Sequence, residues 1–329
     1  MLRLPAFELA EPESVEEACR LLHEHEGVAR PLAGGTDLLP NLKHEVVEAS
    51  LVVGLWRIKA MHGIHEDGDV LRIGALTPLH EVARHPLVQA HFPSLVDAVS
   101  QIAGPQLRRM GTIGGNVCLD TRCVYINQTY FWRQALGFCL KKDGSVCHVV
   151  KNGRRCVAAA SNDSAPVLMT LGATLTLQSP EGVRTSSLTD FYVPNGSCNQ
   201  NRAPAELLTE ITIAKPKGRT LSAYSKLRTR AAIDFPELGV AVLARLNEDE
   251  TVAHADVCVT ALAARPVRVK LDPALYQGRP LDKEVIDALA AEAFRRCKPL
   301  TNIATDPAYR REMVPVFVRR AFRAAQARG

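Results

Sequence analysis

The stretch from Pro31 to Pro40, PLAGGTDLLP, joins a short predicted strand to a glycine turn. A second glycine stretch, GTIGGN, runs from Gly111 to Asn116 and follows a basic LRRM segment. Consecutive glycines let a backbone turn sharply and point successive N–H groups at one place, a geometry that holds phosphate oxygens. Neither stretch has the G-x-G-x-x-G pattern or the Lys-Ser/Thr pair of a P-loop, which argues against the Rossmann and P-loop folds.

Each glycine stretch alone is typical of an ordinary turn. The segment SNDSAP, which begins at Ser161, adds Asp163, a carboxylate that could hold a ribose hydroxyl. Two glycine turns followed by this aspartate indicate a dinucleotide site.

The size and composition of the chain set the class of protein. A length of 329 residues favours two domains, and 47% apolar with 23% charged residues is typical of a globular protein. The net charge of +5 is mild and no block of five like charges occurs, so nucleic acid is not an expected partner. The N-terminal residues lack the apolar region of a signal peptide, and no run of about 18 apolar residues exists. We therefore expect a cytoplasmic protein without a membrane segment.

Local patterns predict an α+β fold. Ser14 and Glu17 form a capping box at the start of the first helix, and Asp67-Gly68 is typical of a hairpin turn. Later strand candidates are of the kind that build an antiparallel sheet, and helices follow them. The linker AKPKGRT predicts a boundary near residue 218, which gives domains 1–218 and 219–329.

The order of several motifs resembles a known family. PLAGGTDLLP, RRMGTIGGN, NDSAPVLMTLGATL, YSKLRTRAAIDFPELGVAV, TALAARPVRV and AYRREM follow one another as in the FAD-binding medium subunit of the xanthine oxidase family of molybdenum enzymes. This resemblance covers nearly the whole chain. It implies a two-subdomain FAD-binding domain of the PCMH type, followed by a smaller α+β domain with an antiparallel sheet and helices.

The resemblance also implies which residues contact FAD, with no catalytic residue on this chain. The diphosphate would lie on the two glycine loops, Asp163 would meet the adenosine ribose, and Lys226 would lie near the flavin ring. No histidine stands in the AGGTD loop, so FAD is expected to be non-covalent. The predicted FAD residues are Leu32, Ala33, Gly34, Gly35, Thr36, Asp37, Gly111, Thr112, Ile113, Gly114, Gly115, Asn116, Asp163, Leu208 and Lys226.

Five of the nine cysteines fall within the 39 residues from Cys118 to Cys156, spaced C-x4-C-x15-C-x7-C-x8-C. In a reducing compartment, such clustering favours metal or redox chemistry over disulfides. The spacing lacks the C-x2-C pairs usual in zinc sites, and Ile126 stands where a plant-type 2Fe–2S run requires cysteine. Spacing alone thus favours a four-thiolate centre without choosing iron or zinc.

The resemblance favours iron. Asp163 follows Asn116 by 47 positions, more than in most of the family, so residues at about 119–158 form an insertion into the FAD domain. We call these residues the cysteine insertion. It is similar to the insertion in the β subunit of 4-hydroxybenzoyl-CoA reductases, a branch of this family, where it binds a 4Fe–4S cluster. The ligands implied are Cys123, Cys139, Cys147 and Cys156. Cys118 would be a packing residue, and His148 a rival ligand in principle.

This resemblance implies an electron-transfer subunit. Ferredoxin would reduce the 4Fe–4S cluster, which would pass electrons to FAD, then to 2Fe–2S clusters on a small subunit and to molybdenum on a large subunit. There the resemblance implies that 4-hydroxybenzoyl-CoA is reductively dehydroxylated to benzoyl-CoA. The complex would be a dimer of heterotrimers. Two alternatives remain open: the FAD subunit of a hydroxylating molybdenum enzyme, and a zinc-stabilised binding protein whose glycine loops are turns.

The cysteine insertion is also rich in basic residues, with one acid, Asp143, between Cys139 and Cys156. A basic rim would attract an acidic ferredoxin, although charge runs often only solvate a surface. The predicted docking residues are Lys141, Lys142, Lys151, Arg154 and Arg155.

Overall fold

The computed structural model describes residues 2–329 and begins with a small parallel sheet. Its three strands, β1 (Glu8–Ala10), β2 (Ala29–Leu32) and β3 (Leu51–Gly54), lie in the order β1-β3-β2. Helix α1 (Val15–Glu24) packs its apolar face on the sheet, and the Ser14 hydroxyl accepts the Glu17 N–H at 3.1 Å, as the capping residues predict. The short helix α2 (Leu38–Lys43) follows the first glycine loop.

The second subdomain contains short helices and a five-stranded antiparallel sheet in the order β4-β5-β8-β6-β7. The hairpin predicted at Asp67-Gly68 joins β4 to β5, and Gly68 has the positive φ that the turn requires. The strands are β4 (Ile64–Asp67), β5 (Val70–Gly74), β6 (Thr174–Ser179), β7 (Gly182–Ser187) and β8 (Leu207–Ala214). The helices are α3 (Leu79–Arg84), α4 (Pro86–His91), α5 (Pro93–Ser100), α6 (Pro105–Met110), α7 (Ile113–Val117), α8 (Tyr130–Ala135), α9 (Ser164–Thr170) and α10 (Leu188–Phe191).

The last third of the chain forms a sheet covered by two helices. The antiparallel strands are β9 (Thr220–Leu227), β10 (Leu238–Leu246), β11 (Val252–Thr260) and β12 (Val267–Arg268), in the order β12-β11-β10-β9. Helices α11 (Lys283–Arg296) and α12 (Pro307–Gln326) pack on this sheet and close a second apolar core. The predicted α+β fold class is therefore confirmed. The predicted boundary near residue 218 falls between β8 and β9 and stays a prediction.

The cysteine insertion leaves the FAD domain after α7 and returns before α9. Its two ends are joined by backbone hydrogen bonds in both directions between Arg122 and Ala159, at 2.8 and 2.7 Å. It contains helix α8 and a small apolar cluster of its own around Ile126. Asn302, from the C-terminal part of the chain, is bonded to Val124 and Val157, so the insertion is held by both domains.

Within residues 2–329, the structure contains no helix that is both long and apolar enough to span a bilayer.

Candidate functional site: a cavity between two glycine loops

The two glycine loops touch each other through their backbones. A Cβ added to Gly34 would lie 1.8 Å from the carbonyl oxygen of Met110, so no side chain fits at this position. Gly35 has a φ of +72°, which glycine adopts without strain. The close approach brings the two loops to one space.

The second loop is fixed by a helix start. The Thr112 hydroxyl caps α7 by accepting the Gly115 N–H at 3.0 Å, and Gly114 packs so closely on Ala75 that a Cβ would lie 2.6 Å from the Ala75 Cβ. Asn116 is used structurally, because its Oδ1 accepts the Ser164 N–H at 3.1 Å and the Ser164 hydroxyl at 2.6 Å. The loop is therefore held in place before any ligand binds.

The loops border a cavity of about 670 Å³. Among the residues that the structure describes, its lining includes every predicted FAD residue except two. The two exceptions are Ile113, which is fully buried in the main core, and Lys226, which is buried and forms an ion pair with Asp163 at 3.0 Å. The predicted residues that line the cavity are Leu32, Ala33, Gly34, Gly35, Thr36, Asp37, Gly111, Thr112, Gly114, Gly115, Asn116, Asp163 and Leu208.

Gly115 is the glycine of the second loop that faces open space. An added Cβ would meet one neighbouring atom, the Thr112 hydroxyl oxygen that caps the helix, in a tight contact at 3.0 Å. Its backbone is helical, so special φ angles are not what this position requires. A longer side chain at this position would therefore extend into the cavity and contact a ligand bound there.

Asp163 and Lys226 form a buried ion pair at the edge of the cavity. The Asp163 carboxylate accepts Lys226 Nζ at 3.0 Å and the Tyr224 hydroxyl at 2.7 Å, and Lys226 also donates to the carbonyl of Gln101 at 3.1 Å. Burial raises the pKa of Asp163 and lowers the pKa of Lys226, and the opposite charge of each partner works against these shifts. The sequence predicted both residues without predicting that they pair, and their contacts with FAD stay predictions.

Arg122 is a lining residue that the sequence analysis did not single out. Its guanidinium forms an ion pair with Asp37 of the first glycine loop and lies 3.9 Å from the centre of the Phe235 ring. It thereby connects the cysteine insertion, the glycine loop and the loop after β9. A single arginine without a surrounding motif gives no signal in the sequence.

The four predicted ligand cysteines lie in one region of the insertion. Cys123 and Cys156 are buried together with Ile126 and Ala158, and Cys139 packs against them. Burial raises the pKa of the Cys123 thiol to about 11, and the thiolate charges of Cys156, Cys139 and Cys147 add to this rise. Three of the four thiols therefore lie in one apolar cluster. In residues 2–329, however, no group of three or more His, Cys, Asp or Glu side chains is arranged to hold a metal ion.

Two neighbours of the thiols differ from the sequence predictions. Lys141 is buried and hydrogen-bonded, with 6% of its side chain exposed, and Lys142 is paired with Glu48 at 2.9 Å, so neither is a free docking cation. The prediction of an exposed basic rim was wrong at these two positions, because both lysines fold back onto the FAD domain. The His148 ring nitrogen lies 2.6 Å from the carbonyl oxygen of Phe138.

Fold and site together are those of a two-domain protein with paired glycine loops at one cavity, as expected for a flavoprotein. Residues 5–216 match the family model described as FAD binding domain in molybdopterin dehydrogenase, and residues 222–325 match the CO dehydrogenase flavoprotein C-terminal domain. The chain belongs to this family, as an FAD-binding subunit of the xanthine oxidase family of molybdenum enzymes, of the CO dehydrogenase medium-chain type.

Similar proteins agree with this assignment. The chain is 29% identical over 324 residues to the carbon monoxide dehydrogenase medium chain of Hydrogenophaga pseudoflava, covering 98% of each. It is 26% identical to the nicotinate dehydrogenase FAD-subunit of Eubacterium barkeri, covering 86% of this chain and 83% of that protein. A solved carbon monoxide dehydrogenase from Hydrogenophaga pseudoflava superimposes with a TM-score of 0.81 at 29% identity over 99% of each chain.

Gly115→Val is expected to weaken FAD binding by about tenfold or more, or about 1.4 kcal/mol. The added side chain would project into the cavity, while its backbone conformation is open to valine. FAD affinity is measured by titrating the deflavinated protein, with circular dichroism and melting temperature as controls for folding. Unchanged FAD affinity in a folded Gly115→Val variant would show that the diphosphate does not lie here.

Asp163→Asn is expected to lower the free energy of unfolding by about 3–5 kcal/mol, because it leaves the buried Lys226 ammonium without its counter-charge. The double variant Asp163→Asn, Lys226→Met is expected to recover part of this loss. Chemical denaturation of the wild-type protein, the two single variants and the double variant measures both effects. Tyr224→Phe, which removes one hydrogen bond to Asp163, is the control. Strictly additive losses in the double variant would contradict a direct ion pair.

Proposed function

We propose that this chain transfers electrons as the FAD subunit of a molybdenum enzyme that hydroxylates its substrate. The observation that carries the proposal is the pair of glycine loops that meet at one cavity. The similar medium chains belong to enzymes named for carbon monoxide, xanthine and nicotine 6-hydroxylation, which favours a hydroxylating enzyme over a reductase. A large and a small subunit would supply the molybdenum and 2Fe–2S centres, in a complex whose copy number and cytoplasmic location are further predictions.

Bound FAD would supply the change between one-electron and two-electron transfer. This chain's own groups would bind and orient it: backbone N–H groups of the first loop would face the diphosphate. The N–H groups of Ile113, Gly114 and Gly115 are already hydrogen-bonded within the protein, so the second loop would contribute mainly the space beside Gly115. The ion pair of Asp163 and Lys226 is fixed by Tyr224 and would present a rigid polar edge to the cofactor. Arg122 offsets the charge of Asp37, which would otherwise repel a diphosphate.

We infer in addition that Cys123, Cys139, Cys147 and Cys156 hold one 4Fe–4S cluster. Cys123, Cys139 and Cys156 share one small apolar cluster, and with Cys147 they make up the four-thiolate donor set that an iron–sulfur cluster uses. His148 stays a rival ligand, because only its Nε2 contacts the Phe138 carbonyl oxygen and its Nδ1 is the remaining ring nitrogen.

A second candidate function is that of 4-hydroxybenzoyl-CoA reductase. The specific observation in its favour is the cysteine insertion, whose cysteines resemble those of that branch. In this enzyme, electrons would run from ferredoxin through the cluster and FAD toward molybdenum, and the phenolic hydroxyl would be removed to give benzoyl-CoA. Assays of the purified complex with 4-hydroxybenzoyl-CoA and reduced ferredoxin, and with N-heterocycles or aldehydes and an electron acceptor, distinguish the two candidates.

Cys147→Ala is expected to remove the iron while FAD stays bound, because the insertion is attached to an FAD cavity that Cys147 does not line. Cys118→Ala is the control for the ligand assignment and should keep the iron, because Cys118 lies outside the four ligands although it lines the FAD cavity. Iron and flavin analysis after anaerobic purification measures the outcome. Loss of iron from Cys118→Ala with retention in Cys123→Ala would show that the ligand set is wrong by one cysteine.

If ferredoxin is the donor, the exposed cations of the insertion are expected to guide it. Lys151, Arg154 and Arg155 are exposed, unlike Lys141. Replacing these three with Glu should slow reduction by ferredoxin about tenfold at low salt and flatten its salt dependence. Reduction by dithionite is the control and should not change. An unaltered ferredoxin rate and salt dependence would place the docking surface elsewhere.

A further inference from the structure

Lys141 is a buried cation whose three ammonium protons are all used. Its Nζ donates to the carboxylate of Asp120 at 2.9 Å, the hydroxyl of Thr121 at 2.8 Å and the carbonyl of Gly196 at 2.7 Å. A lysine has three donors and no acceptor, so these contacts fix the position of the ammonium group. This charge cannot move away from its surroundings as that of an exposed lysine does.

The same lysine lies between the thiols and the FAD cavity. Gly196 packs directly on Cys156: its N–H donates to the Cys156 carbonyl at 2.8 Å, and a Cβ added to Gly196 would lie 2.9 Å from the Cys156 sulfur. The next residue, Ser197, lines the FAD cavity, as does Asp120. The oxygens that bind Lys141 therefore belong to the segments that separate Cys156 from the flavin site.

The charge of Lys141 is felt by the thiols and is only partly neutralised. Burial raises the pKa of the Cys156 thiol, and the charge of Lys141 acts in the opposite direction by favouring the thiolate. Its partner Asp120 has about half of its side chain exposed, so water screens that carboxylate more than it screens the lysine. A net positive field therefore remains on the buried side, toward Cys156.

We propose that Lys141 is a positioning residue that raises the reduction potential of the group held by the four thiols. Its hydrogen bonds also hold that group at a fixed position relative to the FAD cavity. The inference rests on the proposed function. One-electron reduction adds one negative charge to an iron–sulfur group, and a fixed cation in a poorly screened site stabilises the reduced form more than the oxidised form. The lysine would thereby help set the driving force for electron exchange with FAD.

The test is a redox titration of the holoprotein, monitored by electron paramagnetic resonance for the cluster and by absorbance for the flavin. Lys141→Met keeps the length of the side chain and removes its charge, and should shift the cluster potential downward with iron content unchanged. Lys141→Arg should restore most of the shift. Lys142→Met is the matched control, because its ammonium is paired with Glu48 on the neighbouring surface, and should leave the potential unchanged.

Asp120→Asn provides a test with the opposite sign. It removes the carboxylate that offsets Lys141 and should shift the cluster potential upward, even if Lys141→Met proves to lose iron. A potential that is unchanged in Asp120→Asn, or in an iron-replete Lys141→Met, would overturn the inference while leaving the cluster in place. Absence of iron from the wild-type protein would instead overturn the proposed cluster, and this inference with it.

Discussion

The contact between the two glycine loops is the constraint on which the site depends. At Gly34 the backbone lies against the Met110 carbonyl with no room for any side chain. This contact joins the parallel-sheet subdomain to the subdomain that carries α7, whose start is in turn fixed by the Thr112 cap and by Gly114 against Ala75. The cavity between the subdomains therefore has preformed walls, and FAD affinity need not include the cost of ordering them.

The cysteine insertion has only a small apolar core and contains many polar and basic residues beside its thiols. It is attached to the FAD domain by buried cationic side chains that donate hydrogen bonds to that domain. Arg133 donates to the carbonyl of Glu45 at 2.8 Å, on one side, and Lys141 to that of Gly196, on the other. Because these residues are almost fully buried, the insertion is attached firmly, and a redox group within it would stay at a constant distance from FAD.

The sequence predicted the features that depend on local chemistry. The glycine loops, the Ser14 cap and the Asp67-Gly68 turn follow from conformational preferences of a few neighbouring residues, and the structure contains all three. Features that depend on residues far apart in the chain were not predictable in the same way. The pairing of Asp163 with Lys226 joins α9 to β9, and the burial of Lys141 depends on Gly196, 55 positions away. The basic residues of the insertion were therefore predicted to form an exposed rim, although the first two of them, Lys141 and Lys142, fold inward.

The central claim is that one chain holds both a flavin and an iron–sulfur group, each in its own part of the fold. The most direct measurement is the content of FAD, iron, acid-labile sulfide and zinc in the wild-type protein after anaerobic purification. We predict about one FAD, four iron atoms and four sulfides per chain. FAD accompanied by zinc, or by no metal at all, would contradict the claim.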